Sequence, residues 1–277
     1  MPKSFLIFIF CLGTLAFTNA QSKEKIKGNR DVTIKQSYID PFEKIVVTSD
    51  FSIEIAYNEK PSVEIETDDN LHDVINYSVE NGVLTFTASK RITTKKKMMI
   101  TVYYTNILNS IELKDDAELR SLTSMELQNA TLRTSGNSRA YLNIRTANFT
   151  FNSYDKAKSR LNLTADSTYV ELSGTSKLDA LINSKSMKMD LYQRSDAVIE
   201  GDTEVSTFRL DNSTTFKGKN FTSVTCDLLA EGKSSTTMTV TEGIIIDASG
   251  SSQIYLYGEP KITINKFTDT AKLQKKI

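Results

Sequence analysis

The chain has 277 residues, with 34 basic and 34 acidic side chains and a formal net charge of zero. That balance excludes the basic footprint of a nucleic-acid binder. The single histidine, His72, excludes a histidine metal cluster within one chain and leaves one candidate for any histidine-based dyad.

Residues 1–20 read as a secretory signal peptide. Lys3 supplies a positive start, Phe5 to Phe17 is an apolar run too short to span a bilayer, and Thr18-Asn-Ala20 offers a cleavage site before Gln21. Cys11 follows Ile9-Phe10, which are not the small residues a lipid-anchored cysteine needs, so no lipid anchor is expected. No membrane span remains after cleavage. Cys226 is then the only cysteine, which excludes an internal disulfide framework. It lies in an alternating run and is expected to be a small buried apolar residue.

Residues 21–41 are polar and read as a linker or an edge strand. Residues 42–108 read as a β-hairpin region that caps the repeats on its C-terminal side or, alternatively, as irregular first coils of the same sheet. Phe51-Ser-Ile-Glu-Ile55 alternates cleanly, Asn58-Glu-Lys-Pro61 turns, and Ser62-Val-Glu-Ile65 returns, which predicts a hairpin. Asp68 to Ile75 predicts a helical turn. Asn81-Gly82 between Tyr77-Ser-Val79 and Val83-Leu-Thr-Phe86 predicts a second, two-residue hairpin. Lys95-Lys96-Lys97 reads as a solvated turn.

Residues 109–268 repeat themselves. Leu132-Arg-Thr-Ser-Gly136, Val170-Glu-Leu-Ser-Gly174 and Ile246-Asp-Ala-Ser-Gly250 are the clearest copies. Corner residues fall at Asp115, Gly136, Asp155, Gly174, Arg194, Asn212, Gly232 and Gly250, roughly 19 residues apart. Seven of these eight are Gly, Asn or Asp, which most easily adopt positive φ. Before each corner runs an inward series: Leu132, Phe151, Val170, Met189, Phe208, Leu228, Ile246. After each corner a further apolar residue is common: Leu119, Leu178, Val198, Phe216, Ile254. Strand, tight bend and strand make one coil of a solenoid, and neighbouring coils complete each other's core. The sequence therefore predicts an all-β fold, a single-chain parallel β-helix of about eight coils at about 4.8 Å per coil. An antiparallel sandwich is the rival reading. Residues 269–277 read as a basic tail that frays or blunts the last edge.

Beside the inward series runs a polar one: Arg133, Asn152, Glu171, Asp190, Arg209, Asp227, Asp247. Met189 and Asp190 sit one place early relative to Arg194, and Asp227 precedes its apolar neighbour. The carboxylates Glu171, Asp190, Asp227 and Asp247 stack along one face in this register. Glu171 and Asp190, one coil apart, could converge on a cation. Arg133 and Arg209 in the same ladder favour a solvated charge ladder that keeps sheets from aggregating. Tyr103, Tyr104, Tyr255 and Tyr257 are candidates for an aromatic sugar platform, although such residues more often pack on sheet faces or ends. Asn-x-Ser/Thr sequons at Asn76, Asn129, Asn148, Asn162, Asn212 and Asn220 are the chance product of Thr- and Asn-rich strands. No residue is assigned a catalytic, cofactor-binding or metal-ligating role, and no cofactor is expected.

Phe42-Glu-Lys-Ile-Val-Val47, Phe51-Ser-Ile-Glu-Ile55, Thr67-Asp-Asp-Asn-Leu71, Glu80-Asn-Gly-Val-Leu84, the repeated Ser-Gly-x-Ser bends and Tyr257-Gly-Glu-Pro260 occur in that order. In this the chain resembles the family called putative autotransporter adhesin, head GIN domain, found mainly in exported bacterial proteins of Bacteroidetes type. The resemblance covers nearly the whole chain after residue 20. It implies a β-helical fold, an envelope or secreted location, and no established biochemical activity. Several Ser-Gly bends are replaced here by Tyr154-Asp155, Gln193-Arg194 and Asp211-Asn212, which predicts less regular middle coils.

The leading expectation is an exported, non-enzymatic binding or adhesion module for an unknown protein or glycan, in the periplasm, at the cell surface or secreted. A homo-oligomer is left open. A polysaccharide lyase or hydrolase on the same scaffold is the second reading. A structural or sensing module of the envelope is the third.

Overall fold

The structure is a computed structural model that describes residues 23–277. The segment read as a signal peptide lies outside the described residues. Six consecutive strands each form one whole coil: Arg139–Ser153, Lys158–Leu172, Lys177–Leu191, Asp196–Leu210, Thr215–Ala230 and Ser235–Ala248. Each pairs in parallel with the next. Ala130 lies beside Phe149 in the adjacent rung, so the chain does wind on top of itself and the sandwich reading falls. Midway along each early coil one residue drops out of the pairing: Ala147, Asp166, Lys185 and Glu204. This bend divides the coil into a first-half strand and a second-half strand, and the stack into two sheet faces.

The other edge of the coil is a tight corner. Ser49, Asp115, Gly136, Asp155, Gly174, Gln193, Asn212, Gly232, Gly250 and Asp269 all have positive φ. The residue after each corner donates its amide to the corner carbonyl one rung back. Lys156 N to Gly136 O is 2.8 Å, Thr175 N to Asp155 O is 2.6 Å, and Arg194 N to Gly174 O is 2.9 Å. Three corner carboxylates reinforce the stack. Asp115, Asp155 and Asp269 accept the amides of Ser49, Gly136 and Gly250 at 2.9–3.0 Å. At the glycine corners the approach is tight: a Cβ on Gly174 would lie 2.6 Å from Asp155 O, at φ +75°.

The corner after Gly174 is therefore Gln193, not Arg194, and the correction removes a misfit. From Gly136 to Asn212 the corners now recur every 19 residues. Met189 and Asp190 fall into register, beside Val170 and Glu171 on one side and Phe208 and Arg209 on the other. The apolar residue after this corner is Ala197, fully buried, and not Val198, which is exposed. A non-glycine residue in left-handed backbone costs about 1–2 kcal/mol; a hydrogen-bonded ladder on both sides can impose it. The middle coils are regular despite their altered bends. Irregularity falls later, with register shifts near Gly201, Gly218 and Ser223. They accompany one coil of 20 residues, Asn212 to Gly232, and one of 18, Gly232 to Gly250.

Inward side chains stack in continuous columns. Leu132, Phe151, Val170, Met189, Phe208, Leu228 and Ile246 are all buried and belong to one core. Burying each such side chain contributes about 1.5–3 kcal/mol. Two residues past the corners Gly136, Gly174 and Gln193, the small residues Ser138, Ser176 and Ser195 are buried. Their hydroxyls turn back onto carbonyls of the preceding coil, Ser195 onto Leu172 at 3.3 Å.

At the N-terminal end, Lys44–Val47 and Ser52–Tyr57 form a full rung, continued outward in parallel by Val83–Ala88 and Met98–Tyr104. Antiparallel strands then close both faces. Ile75–Glu80 pairs with Val83–Ala88 through the Asn81-Gly82 turn, as its sequence predicts. Ser62–Asp68 pairs antiparallel with Met98–Tyr104, and Val32–Tyr38 with Ser62–Asp68. The predicted hairpin between Phe51-Ser-Ile-Glu-Ile55 and Ser62-Val-Glu-Ile65 does not form. Met98–Tyr104 lies between its arms, bringing Ile55, Val102 and Val63 side by side with none exposed. Alternation identified these strands; the partner was decided by which apolar row fitted between them. The predicted helical turn is a 3-10 turn at Asp69–Leu71. At the other end Lys272–Lys275, within the segment read as a tail, pairs in parallel with Gln253–Tyr257.

Asp68 ties the cap together. Its side chain is fully buried and accepts the amides of Arg30, Lys96 and Lys97 at 3.1–3.3 Å. Burial by itself would raise its pKa. The three amides and the Lys96 charge outweigh that and hold it below the usual carboxylate value.

Gly174→Ala is expected to cost about 1–2 kcal/mol or more in equilibrium denaturation, from the left-handed backbone and the clash together. Gln193→Gly is expected to change stability by less than about 1 kcal/mol, since the relieved strain offsets the added chain entropy. For Asp68 the folded pKa lies below the unfolded one. Its contribution is complete above the unfolded value, near 4, and is lost as pH falls through the folded value. Asp68→Asn should therefore lower the melting temperature at pH 7, and the gap to wild type should shrink steadily below about pH 4.

Candidate functional site

The two faces carry different chemistry. On the second-half face, parallel register places Glu171 directly beside Asp190 in the next rung. Tyr169 sits between them: its hydroxyl lies 3.0 Å from Glu171 Oε2 and 3.1 Å from Asp190 Oδ2. Tyr154, next to the Asp155 corner, donates to Glu171 Oε1 at 3.1 Å. Lys188 Nζ is 3.6 Å from Asp190 Oδ2 and 5.3 Å from the centre of the Tyr169 ring. Asp190 is buried, whereas Lys188 is exposed.

Burial, and then the hydrogen bonds and charges of the two carboxylates, push the Tyr169 phenol well above its ordinary pKa. Burial and Glu171 raise Tyr154 in the same way. Both phenols therefore keep their proton at physiological pH. A phenol has one hydrogen, so Tyr169 can donate to only one of its two neighbours at a time. The cluster can offer a polar ligand two carboxylates and two hydroxyls, with Lys188 as counter-charge.

Of the four stacked carboxylates read from sequence, the structure brings together Glu171 and Asp190. Asp247 is separated from Asp190 by the rungs of Arg209 and Leu229. Asp227 is not in the ladder: it pairs with Thr207 and Ile245, one column over. It faces outward like the others but stands two residues earlier along its strand, which keeps the face and changes the column. Among the described residues no group of three or more His, Cys, Asp or Glu could hold a metal ion. Tyr169 and Lys188 were not singled out in the sequence, and Tyr154 was named only as part of an altered bend. Their signal is register: Tyr169 and Lys188 occupy the column beside the ladder.

The four tyrosines proposed as one platform are divided between the two ends. Tyr104 is buried in the cap with its ring edge-on to Tyr57 at 5.9 Å. Tyr255 and Tyr257 lie near the last rung, under Lys276 at 5.0 Å and Lys219 at 4.8 Å. Cys226 is buried, and that burial pushes its thiol up to about 12, partly opposed by Ser206. His72 sits in the cap against Thr33 Oγ1 at 3.0 Å. The described structure gives the thiol no histidine base.

The first-half face is a shallow trough. One groove of about 520 Å³ is lined by Tyr141, Lys158, Arg160, Lys177, Val198 and Lys217, among others. A second of about 740 Å³ shares Tyr141, Arg160 and Asp179 with it and continues along the same face. At the mid-coil bend, Asp166, Lys185 and Glu204 alternate in sign. Lys185 Nζ meets Asp166 Oδ1 at 2.7 Å, and that carboxylate raises the lysine's pKa. No helix among the described residues is long and apolar enough to cross a membrane.

Comparison with known proteins agrees with this architecture. A crystal structure named as a putative adhesin from Parabacteroides merdae is 16% identical, covers 92% of this chain and 100% of its own, and superposes with a TM-score of 0.66. One from Parabacteroides distasonis with the same name is 13% identical, covers 91% and 100%, and gives 0.69. A third, named as a putative lipid binding protein from Parabacteroides distasonis, is 14% identical, covers 92% and 100%, and gives 0.60. At these identities the likeness shows the fold alone. No curated protein matches the chain. The family model described as "Putative auto-transporter adhesin, head GIN domain" matches residues 41–181 and 150–260, and the chain belongs to that family.

Proposed function

We propose that this protein is an exported, non-enzymatic adhesion module that binds a protein or glycan through its flat outward faces. The observation that carries the reading is the parallel stack itself. It presents polar side chains in straight columns, repeated at about 4.8 Å, over a long surface with shallow troughs. Such a surface suits an extended partner better than a small molecule, which prefers a concave, largely apolar pocket. The family's description as adhesins supports the same role, and with it a place in the periplasm, at the surface or outside the cell.

One observation favours a second reading, a polysaccharide-active enzyme. Glu171 and Asp190 stand side by side with a protonated Tyr169 between them. Paired carboxylates are the usual machinery of glycoside hydrolysis.

A screen of glycans and proteins, with and without calcium, tests both readings on one preparation. The adhesion reading expects stable binding, no depolymerised product, and a Glu171→Gln/Asp190→Asn double variant that also releases none. Sugar fragments released by wild type and abolished in the folded double variant would establish the enzyme instead.

A further inference from the structure

On the first-half face, one outward column reads Glu118, Arg139, Lys158, Lys177, Asp196 in five successive rungs. It is the only run of three like charges in adjacent rungs among the described strands. Like charges directly opposite on neighbouring strands destabilise a sheet. On the same coils the other like-signed or charged columns avoid or offset that. Asp166, Lys185 and Glu204 alternate, and the Glu171–Asp190 pair is flanked by Arg209 and bonded by Tyr169. Here the end members lean outward onto acids, Arg139 toward Glu118 at 3.9 Å and Lys177 toward Asp196 at 3.5 Å. Lys158, in the middle, has no ion-pair partner among the described residues.

We propose that this column, with Arg160 beside it, is the binding site for a linear acidic polysaccharide. The inference rests on the adhesion reading and names its ligand class. The three cations follow the long axis of the molecule at about 4.8 Å per rung, so a chain lying along the trough meets one at each step. Arg160 stands in the neighbouring column, paired to Asp179 at 3.4 Å but largely exposed. Its guanidinium remains available for a carboxylate or sulfate, which it can grip through two parallel N–H bonds. Tyr141 lines the same groove, with Arg120 stacked on its ring at 4.5 Å.

A nucleic acid fits less well. Duplex DNA presents a phosphate per about 1.7 Å of axis and demands unbroken positive charge. Here Asp179 and Asp196 interrupt the patch, and the chain as a whole is neutral. A polymer with one acidic group per sugar unit matches the interrupted pattern.

The test is calorimetric titration of the exported chain with heparin, polygalacturonate, neutral dextran and a DNA duplex at two salt concentrations. The proposal expects binding of heparin or polygalacturonate, the two separating sulfate from carboxylate recognition, and none of dextran. Lys158→Ala/Lys177→Ala should weaken that binding at least tenfold and flatten its salt dependence. Lys261→Ala/Lys272→Ala, at the far end, should leave it unchanged. Folding is not at risk, because both side chains are exposed and the lost Lys177–Asp196 pair is set against relieved repulsion; the melting temperature should stay within a few degrees of wild type. Wild-type affinity in the Lys158/Lys177 variant would overturn the proposal, as would tighter binding of DNA than of either glycan. If the chain binds a protein or a neutral glycan but neither polyanion, this inference fails and the adhesion reading stands. If it binds nothing in either screen, both fail.

Discussion

At every corner a residue in left-handed backbone places its carbonyl where the amide after the next corner can reach it. Asn137 N to Asp115 O at 2.6 Å and Ser213 N to Gln193 O at 2.8 Å are two instances of the same bond. The rest of the molecule depends on that contact. It sets the layer spacing, keeps successive strands parallel, and returns each inward residue over its predecessor. At Gly136 and Gly174 an added Cβ would come within 2.6–2.8 Å of the corner backbone one rung back. A single coil could not satisfy these groups or cover its apolar side; the stack satisfies both together.

A stack of this kind has two ends, and they are treated differently. The first is closed by antiparallel strands and by aromatic rings, with Phe86 set 6.1 Å from both Phe51 and Tyr77. The buried Asp68 carboxylate gathers three amides there. Among the described residues the last rung has no such cover: Ile264 and Phe267 are exposed, and their strand carries Lys261 and Lys266. Lysines at a sheet edge discourage another chain from pairing with it. Between the ends, the outward columns are less constrained than corner and core, because they face solvent. That freedom lets one face gather carboxylates and phenols while the other gathers cations.

Much of this was legible in the sequence, and the exceptions have physical causes. The corners were visible because glycine, asparagine and aspartate tolerate positive φ. The one misplaced corner was the one occupied by glutamine, where hydrogen bonding on both sides overrides the local preference. The inward columns were visible through alternation, but alternation is blind to a shift of two residues, so Asp227 was set in the wrong column. The hairpin turn at Asn81-Gly82 was local and came out correctly. The pairing of Ser62–Asp68 with Met98–Tyr104 joins strands about 35 residues apart and left no local trace. The Tyr169 cluster and the Arg139–Lys158–Lys177 column emerge only once the register between coils is known, since each gathers residues from different coils.

The central claim is that the corners stack one above another at a constant rise. Spin labels report this most directly, with one fixed at Lys156 and the second moved along Arg194, Ser213, Lys233 and Ser251, all exposed positions just past a corner. Stacked corners predict a mean separation that grows with each position by a near-equal step of about 4.8 Å. Separations that stay level, or rise and fall along the series, would contradict the account.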